Sequence, residues 1–367
     1  MKKLVFIMGG MGNPNNIKRI EEAIARGLDV DVYAFEGQRD GPKDPDGVEV
    51  HMLPGYTSDL PYWKRIGKVV NGLKSVISRY KKDECVYYLF RNDKAIIFTL
   101  LCNRPYIFEE ADMTHANLGN ALLRNTIEIW LRNVIRKSVV SVFRSEGFLR
   151  YHFGDSHPDN VFVIPNRLHA GILDISQVEY TGLDENHLRF GFVGGVRYDT
   201  VYKFAETMLK NFPQHEFHFY GMFPNEKQKK QFMPLDKYEN CYFHGAFRSP
   251  DELPEIYSKI DVLISAYDVT SINPRYAEPN KLYEAIYFDK PIIVSSNSFL
   301  AEKVKNLGVG YDVDALDEGA IVSLINSINA ESITEKKENI AKIDKKTCIN
   351  NNEEFFEMIK EKLSSDI

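Results

Sequence analysis

Lys281 and Glu284 stand three residues apart in the run Tyr276-Ala-Glu278-Pro279-Asn280-Lys281-Leu-Tyr-Glu284. On a helix that spacing puts an ammonium and a carboxylate on one face. A lysine balances the charge of a diphosphate, and a carboxylate accepts the hydroxyl protons of a ribose, so the pair fits a nucleotide. Pro279 suits the first turn of a helix, where its missing N–H is no loss, so the helix is expected to begin near Glu278 or Pro279. Its free N–H groups and positive dipole end would offer phosphate a seat. The competing reading is a solvated pair that adds only a few tenths of a kcal/mol to an exposed helix. Position separates the two. Asp261–Tyr267 reads as a buried parallel strand, and ligands of open α/β sheets collect at the carboxyl ends of strands.

Two glycine turns extend the pattern. Leu4–Met8 reads as a strand followed by Gly9-Gly10-Met-Gly12-Asn-Pro14 and a helix with Ile17, Ile20, Ala23 and Ile24 on one face. Gly10 and Gly12 are expected to let the backbone approach a ligand and to line a cleft between two domains. The next strand, Asp31–Phe35, runs into Glu36, which invites comparison with a dinucleotide fingerprint. Gly-Gly-x-Gly is not Gly-x-Gly-x-x-Gly, so a nicotinamide site is disfavoured. Leu188–Arg197 repeats strand and glycine turn, with Gly195 in the turn and Arg197 just beyond it. The forked donors of Arg197 can hold a diphosphate there, or the residue can be a surface group beside a tight turn. Pro105–Asp112 reads as a strand that ends in three acids, Glu109, Glu110 and Asp112, suited to substrate hydroxyls or to capping the next helix.

These residues need a scaffold. At 367 residues the chain exceeds a single core, so two domains are expected. A net charge of −6 argues against a general nucleic-acid binder. The four cysteines are widely spaced, which suggests neither a zinc site nor a disulfide framework. The opening apolar run meets glycine too soon for a signal peptide, and no run approaches the roughly 20 residues of a membrane span. The expectation is a cytoplasmic, soluble or peripheral protein. Residues 61–82 carry seven basic residues and no acid, with Trp63, Ile66, Val70, Leu73 and Ile77 at helical spacing. That stripe fits an anionic membrane surface or ordinary packing on the sheet.

The segment from Tyr276 to Ser295 resembles the donor-binding signature of retaining glycosyltransferases of the GT-B fold, above all the family-four enzymes of bacterial capsular and surface polysaccharide synthesis. The resemblance implies an α/β fold of two Rossmann-like domains whose parallel sheets face a central cleft. It implies that Glu284 binds the ribose of a nucleotide-sugar, while the family's second Glu, eight residues earlier, is replaced by Tyr276, with Glu278 the nearest acid. Around Glu109 to Asp112 it resembles the family's aromatic, Glu and His-Asp motif, with Ala111 in place of the His. Val161-Phe-Val-Ile-Pro-Asn166 resembles the family strand that closes the first domain, Arg167 replacing a glycine. The resemblance also places the nucleobase at the turn 244–248, against His244 and Phe247, and the donor diphosphate on Arg197, with Lys203 one position late for the family lysine and Lys281 compensating.

The expected organisation is an acceptor domain over 1–168, a hinge over 169–187, a donor domain over 188–351, and a helix over 352–364 packing back on the first domain. The activity implied is sugar transfer from a nucleotide-sugar to a glycan or lipid-linked acceptor, with the nucleotide-sugar as co-substrate and no further cofactor. Arg197, Lys281 and the helix N-terminus would meet the charge of the leaving group, so no metal is expected. A sugar-nucleotide epimerase or nicotinamide enzyme, and a non-catalytic scaffold of a polysaccharide assembly complex, remain open beside it.

Overall fold

The computed structural model describes residues 1–9, 14–35, 44–55, 62–180 and 182–365, without the side chains of Pro14, Asn15, Tyr62, Trp63 and Asn117. Gly10, Gly12 and Glu36 fall outside the described residues. The chain divides into two compact units, Met1–Ile164 with Asn352–Ile367, and Pro165–Asn351.

Strand and helix alternate along the sequence, and such a chain builds parallel sheets because each crossover helix carries it back to the end of the sheet where the previous strand began. The first unit has β1 (Lys3–Met8), β2 (Val30–Phe35), β3 (Val50–Leu53), β4 (Cys85–Leu89), β5 (Tyr106–Glu110), β6 (Val140–Phe143) and β7 (Val161–Val163). Their order across the sheet is β3-β2-β1-β4-β5-β6-β7, parallel throughout. The second unit has β8 (Arg189–Val193), β9 (Glu216–Tyr220), β10 (Cys241–Gly245), β11 (Val262–Ser265), β12 (Ile292–Ser295) and β13 (Gly310–Val313), in the order β10-β9-β8-β11-β12-β13, again parallel. Both are doubly wound sheets, and in the second the order reverses between β8 and β11. That reversal opens the crevice where such sheets take ligands.

Several elements differ from the sequence reading. The helix Tyr62–Ile77 packs through Val69, Leu73 and Val76, while Ile66 is exposed, so its buried stripe is rotated from the one expected. Gly72 has a packing reason: a Cβ there would meet the Phe35 ring at 2.6 Å, so the glycine lets the helix close on β2. Residues 169–187, expected as a hinge, belong to the second unit. Ile172 is fully buried there, and Tyr180 hydrogen bonds Asp261. The second unit also holds the helix Ala330–Ala341, capped reciprocally by Asn329 and Ser332.

The helix Glu353–Ser364 belongs to the first unit, where Phe355, Phe356, Ile359 and Leu363 join Leu4, Phe6 and Ile20 in one core. Lys2 N–H donates to the Leu363 carbonyl at 3.0 Å, and the Arg19 guanidinium lies 5.0 Å from the Phe355 ring centre. No helix among the described residues is long and apolar enough to cross a membrane.

Candidate functional site

At the carboxyl ends of β8 and β11 lies a cavity of about 300 Å³, lined by Phe192, Val193, Gly194, Gly195, Arg197, Tyr198, Phe247, Ser249, Tyr267, Asn280, Lys281 and Glu284. Six residues expected at the donor, Gly195, Arg197, Phe247, Asn280, Lys281 and Glu284, are thus brought together from segments up to 89 positions apart in the chain. The turn after β8 depends on two glycines. Gly194 has φ +145° and donates to the Tyr220 carbonyl at 2.8 Å, and a Cβ on Gly221 would lie 1.8 Å from the Gly194 oxygen. Only glycine allows β8 and β9 to end this close.

Glu284 is 3% exposed and Lys281 6%. The Glu284 carboxylate accepts from Lys281 Nζ at 2.5 Å, from Tyr257 Oη at 2.5 Å and from Asn280 Nδ2 at 2.6 Å. A carboxylate offers about four lone-pair sites, so one more donor fits directly and others displace Asn280 or Lys281. The pair is therefore no solvated surface feature. Tyr257 carries this geometry, yet nothing in the sequence marked it beyond its place on a helix. Its hydroxyl pKa is pushed well up by burial and by the Glu284 charge, so it donates.

The helix that presents the pair is Lys281–Tyr287, so it begins two residues after Pro279 rather than at Glu278 or Pro279. Asn280 is its cap residue, and charge at this end comes from side chains more than from a long helix dipole. Pro279 is loop, its carbonyl accepting from Leu282 N–H at 3.3 Å. Tyr276 ends the preceding five-residue helix Ile272–Tyr276 and does not line the cavity. Glu278 is buried and turned away, hydrogen bonded by Tyr283 and by Lys303 at 2.8 Å. Arg197 is exposed, donates to Tyr198 Oη at 2.7 Å and stacks over that ring at 4.9 Å. Lys203 pairs with Glu318 instead of reaching the cavity.

His244 also stands outside the cavity. It shares a hydrogen bond with His218 at 3.0 Å and stacks flat on Tyr220, with ring centres 4.2 Å apart. Burial keeps both imidazoles below their usual pKa. Phe247 alone of the expected nucleobase turn pair lines the cavity. Beyond that turn Glu252 takes the Arg248 N–H at 2.7 Å, and the helix that follows is Leu253–Ser258.

In the first unit, strand alternation sends Glu109 and Glu110 to opposite faces of β5. Glu109 is fully buried, paired with Arg19 at 3.2 Å and with Arg144, and hydrogen bonded by Tyr88. Burial works against its charge, but Arg144 and Arg19 hold its pKa below the usual carboxylate value. As placed, it has no surface to offer a substrate. Glu110 closes a buried ring: Asn92 Nδ2 at 2.7 Å, His152 Nε2 at 2.6 Å, then His152 Nδ1 to Glu128 at 2.9 Å, Glu128 to His115 at 3.0 Å, and His115 to Asn92 at 3.2 Å. Burial favours a neutral His152, yet the Glu110 and Glu128 carboxylates outweigh it and carry the pKa up to about 10. Asp112 is exposed just beyond the carboxyl end of β5. Among the described residues no group of three or more His, Cys, Asp or Glu side chains could hold a metal ion.

Two doubly wound parallel sheets, one with a charged crevice at its switch point, have the architecture of the GT-B fold. Residues 181–347, nearly the whole second unit, match the family described as Glycosyl transferases group 1. In fold the chain is similar to sucrose-phosphate synthase from Thermosynechococcus elongatus, with a TM-score of 0.67, 15% identity and 98% of each chain covered. It is similar to Alr3699/HepE of Anabaena, solved with UDP and glucose, with a TM-score of 0.65, 15% identity and 100% of each chain covered. A putative UDP-N-acetylglucosamine 2-epimerase from Listeria monocytogenes shares the fold at a TM-score of 0.62 and 12% identity, over 99% of this chain and 97% of that one. No curated protein matches the sequence.

Proposed function

We propose that this chain is a glycosyltransferase that moves a sugar from a nucleotide-sugar to a glycan or lipid-linked acceptor in polysaccharide synthesis, with retention at the anomeric carbon. The observation that carries the reading is the buried Lys281–Glu284 pair beneath the Gly194–Gly195 turn, with Arg197 at the mouth of the same cavity. As the glycosidic bond breaks, negative charge grows on the departing diphosphate. Arg197 and Lys281 are positioned to meet it, and in many enzymes such preorganised charge lowers the barrier more than any other effect. Glu284 accepts the ribose hydroxyls once Lys281 turns to the phosphates. In this reading Phe247 stacks on the nucleobase, the donor phosphate assists deprotonation of the acceptor, and neither metal nor further cofactor is needed. The reaction takes place in the cytoplasm, with the basic flank of Tyr62–Ile77 available to the inner membrane face.

Since Alr3699/HepE was solved with UDP, UDP is the first nucleotide to try, followed by GDP, CMP and TDP in calorimetry. Saturable binding of one of them, and release of that nucleotide from its sugar conjugate, supports the reading. No binding across the panel at millimolar concentration sinks it. The fold shared with a putative 2-epimerase favours a second reading, which a changed sugar epimer without transfer would establish. Binding without hydrolysis or transfer across a donor panel would leave the scaffold reading.

A further inference from the structure

A larger cavity, about 590 Å³, lies in the second unit at the opposite pole of its sheet. Lys290, which precedes β12, marks it as the amino end of the strands, and no lining residue is shared with the donor cavity. Four lysines line it, Lys290, Lys337, Lys345 and Lys346, against one acid, Asp289, which is taken by Lys345.

Lys290 is 3% exposed. Among the described residues its ammonium has neither hydrogen bond nor ion pair, and it lies over the Tyr180 ring, 3.7 Å from nitrogen to ring centre. Lys337 Nζ lies 4.5 Å from the centre of that same ring. The acid nearby, Asp261, is already committed to Arg189 at 2.8 Å and to the Tyr180 hydroxyl. Two ammonium groups thus share one aromatic ring and neither is ion-paired among the described residues, and burial together with Lys337 presses the Lys290 pKa down to about 7 against the pull of Asp261 and Asp289. A buried unpaired charge is costly, and cation–π contact offsets only part of it. An incoming anion would relieve it.

We propose that this cavity binds a phosphate-bearing anion, held by Lys290 and Lys337 from within and by Lys346 at the rim. The shape and charge favour phosphate chemistry: several ammonium groups on flexible stems suit a multiply charged oxyanion. Beside them Tyr257 and Phe288 stack at 4.5 Å and form an apolar wall for the body of the ligand. The phosphate can belong to a soluble compound or to a lipid headgroup, and Leu173, 63% exposed at the lining, suits either.

Calorimetry with inorganic pyrophosphate at fixed ionic strength tests the proposal on the full chain and on Lys290→Met, Lys337→Gln and Lys281→Met. The expected result is binding that survives Lys281→Met and weakens about tenfold or more in Lys290→Met and in Lys337→Gln. Lys290→Met removes an unpaired buried charge and should melt no lower than the parent; half-buried Lys337 supplies the independent check. Sedimentation with phosphatidylcholine vesicles containing phosphatidic acid separates the sources: capture lost in Lys290→Met assigns a lipid phosphate, and pyrophosphate binding without capture assigns a soluble one. Binding to neither probe, or pyrophosphate affinity that drops only in Lys281→Met, overturns the proposal. Neither outcome overturns the donor reading, because Lys290 and Lys337 do not line the donor cavity.

Discussion

Glu284→Ala should damage the protein in two separable ways. The substitution leaves the Lys281 ammonium, 6% exposed, and the Tyr257 hydroxyl without their acceptor. Removing one member of a buried ion pair costs about 3–5 kcal/mol. For a unit the size of 165–351 each kcal/mol moves the melting midpoint by about 2–4 °C, so the midpoint should fall by roughly 6–20 °C. Lost UDP affinity in that variant would thus mix folding with binding. The double variant Lys281→Met with Glu284→Gln separates them. It discards both charges and keeps an oxygen for Tyr257, so it should recover stability to within about 1.5 kcal/mol of the parent. In this folded, neutral pocket, the two charge-assisted contacts proposed for the nucleotide would be gone. Each is worth about 1.5–3 kcal/mol, so UDP affinity should fall at least about 100-fold. Thermal melting and calorimetry on the same samples read both effects. A Glu284→Ala midpoint within about 3 °C of the parent would refute the buried pair, and a well-folded double variant that binds UDP as the parent does would refute the donor site.

Arg197→Ala changes an exposed side chain, so stability should stay within about 0.5 kcal/mol while UDP affinity drops about tenfold, read by melting and calorimetry together. Gly221→Ala drives a Cβ to 1.8 Å from the Gly194 oxygen at φ +142°, and should cost more than about 3 kcal/mol and abolish UDP binding through collapse of the β8 turn. His152 gains protons on folding, since its pKa rises from 6.5 to about 10. Its stabilising contribution is complete below about pH 6.5 and is lost as pH climbs through about 10, so the melting midpoint should decline over that window. In His152→Gln that decline should flatten, and an equally steep one would show that another group is responsible.

What could be read from the sequence was local. Strand and helix alternation announced two doubly wound sheets, and the three-residue spacing of Lys281 and Glu284 predicted their shared face because a helix fixes that relation whatever surrounds it. Glycine turns after β8 were legible for the same reason: a positive φ leaves its mark on one residue. The helix start was placed early because Pro279 fits a first turn and equally fits a loop, and the i to i+4 ladder begins only at the Asn280 carbonyl, which accepts from Glu284 N–H at 2.9 Å. Tyr257 left no trace, since its contact with Glu284 joins two helices 27 positions apart.

The acids of β5 show why pairing at a distance defeats such reading. Three carboxylates at a strand end look like a reactive surface when nothing else is known of them. Whether they are reactive depends on what comes to meet them, and Arg19 arrives at Glu109 across 90 positions of chain. Glu110 is met by His152 across 42 and by Asn92 across 18. A buried carboxylate without such partners would shed its charge, so the arginines and histidines are what keep Glu109 and Glu110 charged inside the first unit. The same test, applied to Lys290, gives the opposite answer. Its burial is as deep as that of many core side chains, but no carboxylate comes to it from anywhere among the described residues. Deep burial with partners holds β5 in place, whereas Lys290, buried without one, is the group that the proposed anion would meet.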